Sequence, residues 1–407
     1  MDSWGKNLLH TSPIGVVGSG FIARQLVRHL LALGCKPPCV LTRRQPQEVS
    51  GFDSLVRVTT SLDAFLSTSK IVVECSGDPL HATRVVAAAF DAGRPVVTMN
   101  SEFHVTCGSY FVGKGYLTEA EGDQPGSLAA LAEDVRMAGF SPLVYGNMKG
   151  FMDLRPTPDS MADWSKRQQF SLDMVTSFTD GTKLQIEQAL VANGLGAGIA
   201  RTGMIGPSGE EPLKGAQALA KAATELGRPL ADYLVAQNLR PGVFIVATHF
   251  SETVALRNLK LGDGPFYYLE RPYHLCGLEI PKTIIRVLSG QPPLLNNSSL
   301  PTINVAAVSK RDLPRGTHIQ KGIGSFDVRG VAVNTAEVPE AVPIGLLNAA
   351  VVRNDVDKDS ILRWQDVELP DHEAVAICQK LFQRSGPKKG RDNQTPSDLT
   401  ANRLARP

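Results

Sequence analysis

Ile14-Gly15-Val16-Val17-Gly18-Ser19-Gly20-Phe21-Ile22-Ala23 is the stretch that decides the fold. A short apolar run enters this Gly-rich turn, and a helical pattern leaves it through Leu26, Val27, Leu30, Leu31 and Leu33. The spacing is the G-x-G-x-x-A form of the dinucleotide-binding fingerprint, with strand, turn and helix in the required order. Gly18 permits the tight turn, and Gly20 lets the backbone approach a pyrophosphate. The helix N-terminus at Phe21 and Ile22 offers unpaired N–H groups to the phosphates, and small Ala23 lets helix and strand lie close.

The choice of nicotinamide is read at the end of the second strand. NAD binders usually carry an acid there for the ribose 2′-OH. This chain instead has Cys39-Val40-Leu41-Thr42-Arg43-Arg44. Two guanidiniums beside Thr42 are suited to clasp a 2′-phosphate, so NADP(H) is expected over NAD(H). The plainer alternative is a solvated basic loop.

Strands and helices alternate through residues 12–145. Continuous apolar runs such as Ile71-Val72-Val73 and Val96-Val97, separated by helical patterns, predict an α/β fold with a parallel Rossmann sheet. Ligands then sit at the carboxyl ends of the strands. Ser76 and Gly77 after one strand, and Asn100 after the next, are expected beside the nicotinamide. Turn chemistry alone also accounts for Gly77-Asp78-Pro79.

Beyond residue 145 helical patterns over Asp159–Ser177, Lys183–Ala192 and Leu213–Leu226 are joined by Gly-rich turns. A helix from about Leu278 to Leu288 precedes a Pro/Asn/Ser linker, residues 291–299, and short strands dominate from 303 to 369. The polar stretch 385–407 is expected to be a disordered tail.

Composition sets the class. The 407 residues are 43% hydrophobic, which suits an ordinary globular protein of two or three domains. A net charge of +2 argues against nucleic acid or a membrane surface as partner. No apolar stretch approaches a membrane span and the start carries no signal-peptide pattern, so a cytoplasmic location is expected. Cysteines at 35, 39, 75, 107, 276 and 378 lack zinc-site spacing and are expected as reduced thiols. A small-molecule substrate and a homo-oligomer are expected.

Several ordered segments carry a resemblance. They are Gly122-Asp123-Gln124-Pro125-Gly126, Thr157-Pro158-Asp159, Pro241-Gly242-Val243-Phe244 and Leu261-Gly262-Asp263-Gly264-Pro265-Phe266, then Arg271-Pro272-Tyr273-His274-Leu275 and Val342-Pro343-Ile344-Gly345-Leu346-Leu347. Over residues 12–370 the chain resembles homoserine-dehydrogenase-like NAD(P)-dependent oxidoreductases with a C-terminal SAF domain. That family includes the deoxyxylulose-phosphate-reductoisomerase-like enzymes. The resemblance implies a Rossmann domain over 12–145, completed by about 270–290. It also implies an inserted α+β catalytic domain over 146–269 and a β-clip SAF module over 300–370. Asn147-Met148-Lys149-Gly150 matches the reductoisomerase branch only in part, and homoserine dehydrogenases lack the SAF module.

Hydride transfer at a carbonyl carbon needs a proton donor or acceptor at its oxygen. Lys149 is the first candidate, because it follows a strand at the junction of two domains, and the resemblance also implies a lysine there. Glu102 and Asp123 follow core strands; they can orient the lysine, bind a substrate hydroxyl or share a divalent metal. Asp123 also suits the start of a helix. Arg271 and His274, at the return into the Rossmann domain, are candidates for substrate binding or for packing of the crossover. The reading is an NADPH-dependent oxidoreductase acting on a small polyhydroxylated carbonyl compound, including sugar phosphates. The alternatives are a reductoisomerase acting on deoxyxylulose 5-phosphate, a homoserine dehydrogenase and a non-catalytic nucleotide sensor.

Overall fold

The computed structural model describes residues 3–383 except 210, 238, 251 and 252. The expected tail at 385–407 lies outside the described residues. Strands β1 (Ile14–Val17), β2 (Cys39–Leu41), β3 (Arg57–Thr59), β4 (Ile71–Glu74), β5 (Val96–Thr98) and β6 (Leu117–Glu119) form one sheet. Its order is β3-β2-β1-β4-β5-β6, and every pairing is parallel. Every residue of β1, β4 and β5 is buried, as the continuous apolar runs require when helices cover both faces. The covering helices are α1 (Ser3–Thr11), α2 (Phe21–Ala32), α3 (Leu62–Thr68), α4 (Pro79–Asp91) and the short α5 (Ser101–Thr106).

Helix α6 (Gln124–Met137) leads out of this sheet. Gly126 in its first turn is required by packing, since a Cβ there would stand 1.9 Å from the Ala120 carbonyl oxygen. A second, mixed sheet follows, built from β7 (Phe140–Lys149), β8 (Leu230–Val235), β9 (Gly242–His249) and β10 (Tyr267–Arg271) in the order β10-β9-β7-β8. Strand β7 runs parallel to β8 and antiparallel to β9. Helices α7 (Pro158–Gln168), α8 (Leu172–Thr179), α9 (Thr182–Leu195), α10 (Pro212–Leu226) and α11 (Thr253–Asn258) accompany it. The single helix expected over 159–177 is two, because Gln169 adopts a left-handed conformation (φ 56°) and Ser171 then caps α8 by accepting from Met174 N. Helix α12 (Ile280–Leu288) returns to the first sheet, where Ile280 and Ile284 join Val16, Val40 and Val73 in one buried cluster.

The C-terminal stretch pairs β11 (Ile303–Ser309) with β13 (Val328–Asn334). It also groups β12 (His318–Ile319), β14 (Ala350–Val352) and β15 (Val367–Glu368), before α13 (Glu373–Gln383). Beside a small cluster of its own around Ala306, Val333 and Ala341, its apolar residues pack into cores shared with the rest of the fold. Val305, Ala307 and Ile344 belong to the same cluster as Leu184, Ala189 and Ile245 of the middle region. The cause is α9, which is buried along nearly its whole length, with β13 against its first turns. Thr182 Oγ1 accepts from Gly330 N and Gln185 Oε1 from Ala332 N, each at 2.9 Å. Beside them Lys310 Nζ meets Asp180 Oδ2 at 2.7 Å with both side chains buried.

A buried pair broken on one side leaves an uncompensated charge, which costs about 3–5 kcal/mol. Lys310→Met is therefore expected to lower unfolding free energy by about 3 kcal/mol. Urea denaturation checks it, and a change below about 1 kcal/mol, the range of a surface pair, would contradict the reading.

Candidate active site

The dinucleotide turn has the shape its sequence implies. Gly18 sits at φ 103°, and a Cβ there would press to 2.9 Å from the Cys75 carbonyl oxygen. A Cβ on Gly20 would meet nothing within 4 Å, and α2 starts behind Gly20 with no side-chain cap. Ala23 is fully buried against the sheet, whereas Phe21 stands half-exposed at the rim. Open space before an uncapped helix N-terminus fits a pyrophosphate. Thr42 Oγ1 lies 2.9 Å from Ser19 Oγ, and the Arg44 guanidinium donates to Ser19 Oγ at 2.9 Å. Arg43 reaches the other way, to Asp78 at 2.7 Å. Ser76 donates its N–H to Glu74 Oε1 at 2.8 Å, Gly77 turns the chain at φ 67°, and Asn100 caps α5. All these residues stand around the carboxyl ends of β1, β2, β4 and β5.

Across the sheet edge lies a cluster whose centre was not singled out in the sequence. Lys183, in the first turn of α9, places Nζ 3.0 Å from Glu102 Oε1, 3.4 Å from Asp123 Oδ2 and 3.9 Å from Glu187 Oε1. Glu102 comes from α5 and Asp123 from the turn before α6, so the ammonium joins the Rossmann sheet to the helix under the mixed sheet. Asp123 occupies the cap position of α6 without capping it and is drawn instead to Lys183 and Ser101. Asn147 Nδ2 holds Glu187 Oε2 at 2.8 Å.

Charge balance fixes the protonation states. Burial alone would push the Lys183 proton off, but Asp123, Glu102 and Glu187 outweigh it and hold the ammonium well above the usual lysine range. Burial likewise works against the Asp123 carboxylate, yet Lys183 and then His274 keep it below the usual range. Glu187 is pushed up to about 7, by burial first and then by the Asp123 charge, against Lys149 and Lys183.

Lys149 ends β7 half-buried, on the Glu187 side, with no side-chain hydrogen bond or ion pair to another described residue. The structure thus joins Glu102 and Asp123 to Lys183 and leaves Lys149 outside that contact. Arg271 is engaged by Glu121 at 3.3 Å and by Glu279, which locks the crossover into α12. His274 Nδ1 faces the Gly122 carbonyl oxygen at 3.1 Å, as does Cys276 Sγ at 3.0 Å. Asp123, His274 and Cys276 lie close enough for a metal, within 4.8 Å. In this structure Asp123 contacts Lys183, and His274 and Cys276 face the Gly122 carbonyl. Glu102 and Asp123, candidates to orient a lysine, bind a substrate hydroxyl or share a divalent metal, both contact the Lys183 ammonium.

Residues 122–280 match the family described as Oxidoreductase DRL, catalytic domain. No curated protein matches the chain in sequence. Among solved structures, UDP-N-acetylglucosamine 3-dehydrogenase from Acidithiobacillus ferrooxidans is 12% identical, over 70% of this chain and 92% of that one, with a TM-score of 0.40. The myo-inositol dehydrogenase from Lactobacillus casei, in complex with NAD(H) and myo-inositol, is 13% identical over 71% and 89%, also with a TM-score of 0.40. The matched catalytic domain, set beside a Rossmann-like sheet that carries the dinucleotide turn, makes this chain an NAD(P)-dependent oxidoreductase. No helix among the described residues is long and apolar enough to cross a membrane.

Glu74, at the end of β4, has no exposed surface, and burial pushes its carboxyl up from 4.5 to about 7. A raised acid stays neutral in the fold while the unfolded chain ionises. Its contribution is therefore full below 4.5 and is lost as pH rises through about 7. That gap corresponds to about 3 kcal/mol. Glu74→Gln is expected to raise Tm at alkaline pH, with the two proteins converging near pH 4.5. A Tm difference that does not change with pH would contradict this account.

Proposed function

We propose that the protein transfers a hydride between NADP(H) and a small polyhydroxylated carbonyl compound, with Lys183 as the proton donor and acceptor at the substrate oxygen. The observation that carries this reading is the Lys183 ammonium held among Glu102, Asp123 and Glu187 at the carboxyl edge of the Rossmann sheet. When bound, the nicotinamide supplies or accepts the hydride.

The chain's own residues divide the remaining tasks. In reduction, the Lys183 ammonium donates a proton to the oxygen on which charge develops, and Asp123 and Glu102 keep that ammonium aimed and charged. In oxidation, neutral Lys183 takes the alcohol proton. Glu187 and Glu102 offer acceptors to neighbouring hydroxyls, which favours a polyol-like substrate over an apolar one. Lys149 is proposed to bind the substrate from the Glu187 side, where a phosphate on the substrate would find its charge, and His274 to bind it next to Asp123. Gly18, Gly20, Phe21, Ile22 and Ala23 would hold the pyrophosphate, and Ser76, Gly77 and Asn100 the nicotinamide end. Arg44, with Ser19 and Thr42, would take the 2′-phosphate, and Arg43 would join it by leaving Asp78. The β-rich stretch over 300–370 is proposed as the SAF-like module that braces α9.

Two outcomes are expected. Lys183→Met should lower kcat by roughly 10²–10⁴ with cofactor affinity nearly unchanged. Because the ammonium is held high, wild-type reduction should keep its rate through neutral pH and fall only on the alkaline side, while oxidation rises with pH. Should Lys149→Met cause that loss and Lys183→Met spare the rate, the proton role belongs to Lys149. Separately, replacing Arg43 and Arg44 with Ser should weaken NADPH much more than NADH, each charge-assisted contact contributing about 1.5–3 kcal/mol. Equal losses for the two cofactors would overturn the NADP(H) assignment.

A further inference from the structure

Behind the cluster lies a second buried acid that the proposed chemistry does not use. Glu119 ends β6 and has no exposed surface. Ser101 Oγ stands between it and the active site, 3.3 Å from Glu119 Oε1 and 3.2 Å from Asp123 Oδ2. A serine hydroxyl carries one proton, so it donates to one of these oxygens only. If both carboxyls were ionised, one of the two contacts would set lone pair against lone pair among buried groups. The arrangement closes when one carboxyl is protonated and donates to Ser101. Asp123 faces the Lys183 cation, which favours its carboxylate form; among the described residues no Lys or Arg contacts Glu119.

The other groups facing Glu119 agree. His104, from α5, brings Nε2 to 3.3 Å of Oε2, but burial drives its proton off down to about 3, so the ring is neutral. Asp123, Lys183 and Glu102 act on Glu119 through space, and Cys75, just after β4, faces it as well. Burial, followed by the Asp123 charge, raises the Glu119 carboxyl well above its ordinary range.

We propose that Glu119 is a neutral carboxylic acid and a positioning residue of this site. Its O–H donates to Ser101 Oγ, the Ser101 O–H is thereby committed to Asp123 Oδ2, and the Asp123 carboxylate so fixed holds the Lys183 ammonium. The order of donation runs Glu119 to Ser101 to Asp123. The effect on Lys183 rests on the acid–base reading above; the neutral state of Glu119 does not.

Two readouts on the full chain test it. The infrared spectrum, above the pH range where Glu74 and Glu187 titrate, should retain the C=O stretch of a protonated carboxylic acid, and Glu119→Gln should remove it. The pH profile of reduction should then separate variants by hydrogen bonding and not by charge. Gln keeps a donor to Ser101, so Glu119→Gln should leave the alkaline limb in place and kcat within about threefold. Ser101→Ala should move that limb to lower pH by about one unit, because Asp123 loses a donated bond and holds Lys183 less strongly, and Glu119→Ala should move it the same way by less, because Ser101 keeps its proton but loses the donor that commits it to Asp123. A band that survives Glu119→Gln overturns the proposal. So does an alkaline limb shifted as far by Gln as by Ala, or rescued by Glu119→Asp and not by Gln, since an ionised Glu119 predicts both. Lys183→Met identifies the limb; if that variant leaves the profile unchanged, the acid–base reading fails while the infrared band still decides the state of Glu119.

Discussion

The burial of one ammonium group organises this molecule. An isolated lysine charge withdrawn from water is too costly to keep and would shed its proton. Lys183 keeps it because carboxylates arrive from two other places in the fold, α5 and the turn before α6, and from one turn further along α9. None of these elements can shift far without stranding a charge. Gly126 belongs to the same constraint, since only a residue without a side chain lets α6 approach Ala120 and so brings Asp123 forward.

The same logic explains why the C-terminal stretch shares its core with the middle region. Helix α9 carries Lys183 and Glu187 on one side and Thr182 and Gln185 on another, and it has almost no solvent face. The polar groups on the far side need partners, and β13 supplies them through Gly330 and Ala332 N–H groups. The Lys310–Asp180 pair closes the turn where α9 begins. Under the proposed role of Lys183, the C-terminal stretch would set the geometry of the chemistry through the helix that carries that lysine.

How much of this was legible follows from what is local. The dinucleotide turn is written in backbone chemistry over ten residues: Gly18 for its positive φ, Gly20 for open space and Ala23 for close packing. Such requirements are met by residue type alone, so they can be read from spacing. Glu102 and Asp123 were also legible as acids after strands. Lys183 was not, because Lys183 and Glu187 four residues apart look like an ordinary solvent-facing helix pair. The missed signal is that the helix following Asp180-Gly181 has no stripe of exposed polar residues: its Lys, Gln and Glu alternate with Leu and Ile all round. Lys149 drew attention as the lysine at a domain junction, and it does end β7 there. Sequence does not reveal that α9, and not β7, supplies the cation in contact with Glu102 and Asp123.

The two halves of the site therefore follow different physical rules. The proposed cofactor half is built around main-chain groups and small residues, which tolerate little change in φ or volume, with Arg43 and Arg44 at its rim. The proposed substrate half is built from buried titratable side chains whose states depend on one another: the Lys183 charge favours the Asp123 carboxylate, and the Asp123 charge favours the Lys183 ammonium. Glu187, poised near neutrality between Asp123 on one side and Lys149 and Lys183 on the other, is the member whose state a bound substrate can change most readily. A hydroxyl donating to it favours its carboxylate form, which in turn strengthens the hold on Lys183. Under the proposed function, substrate binding and the proton affinity of Lys183 would be linked through that one carboxyl.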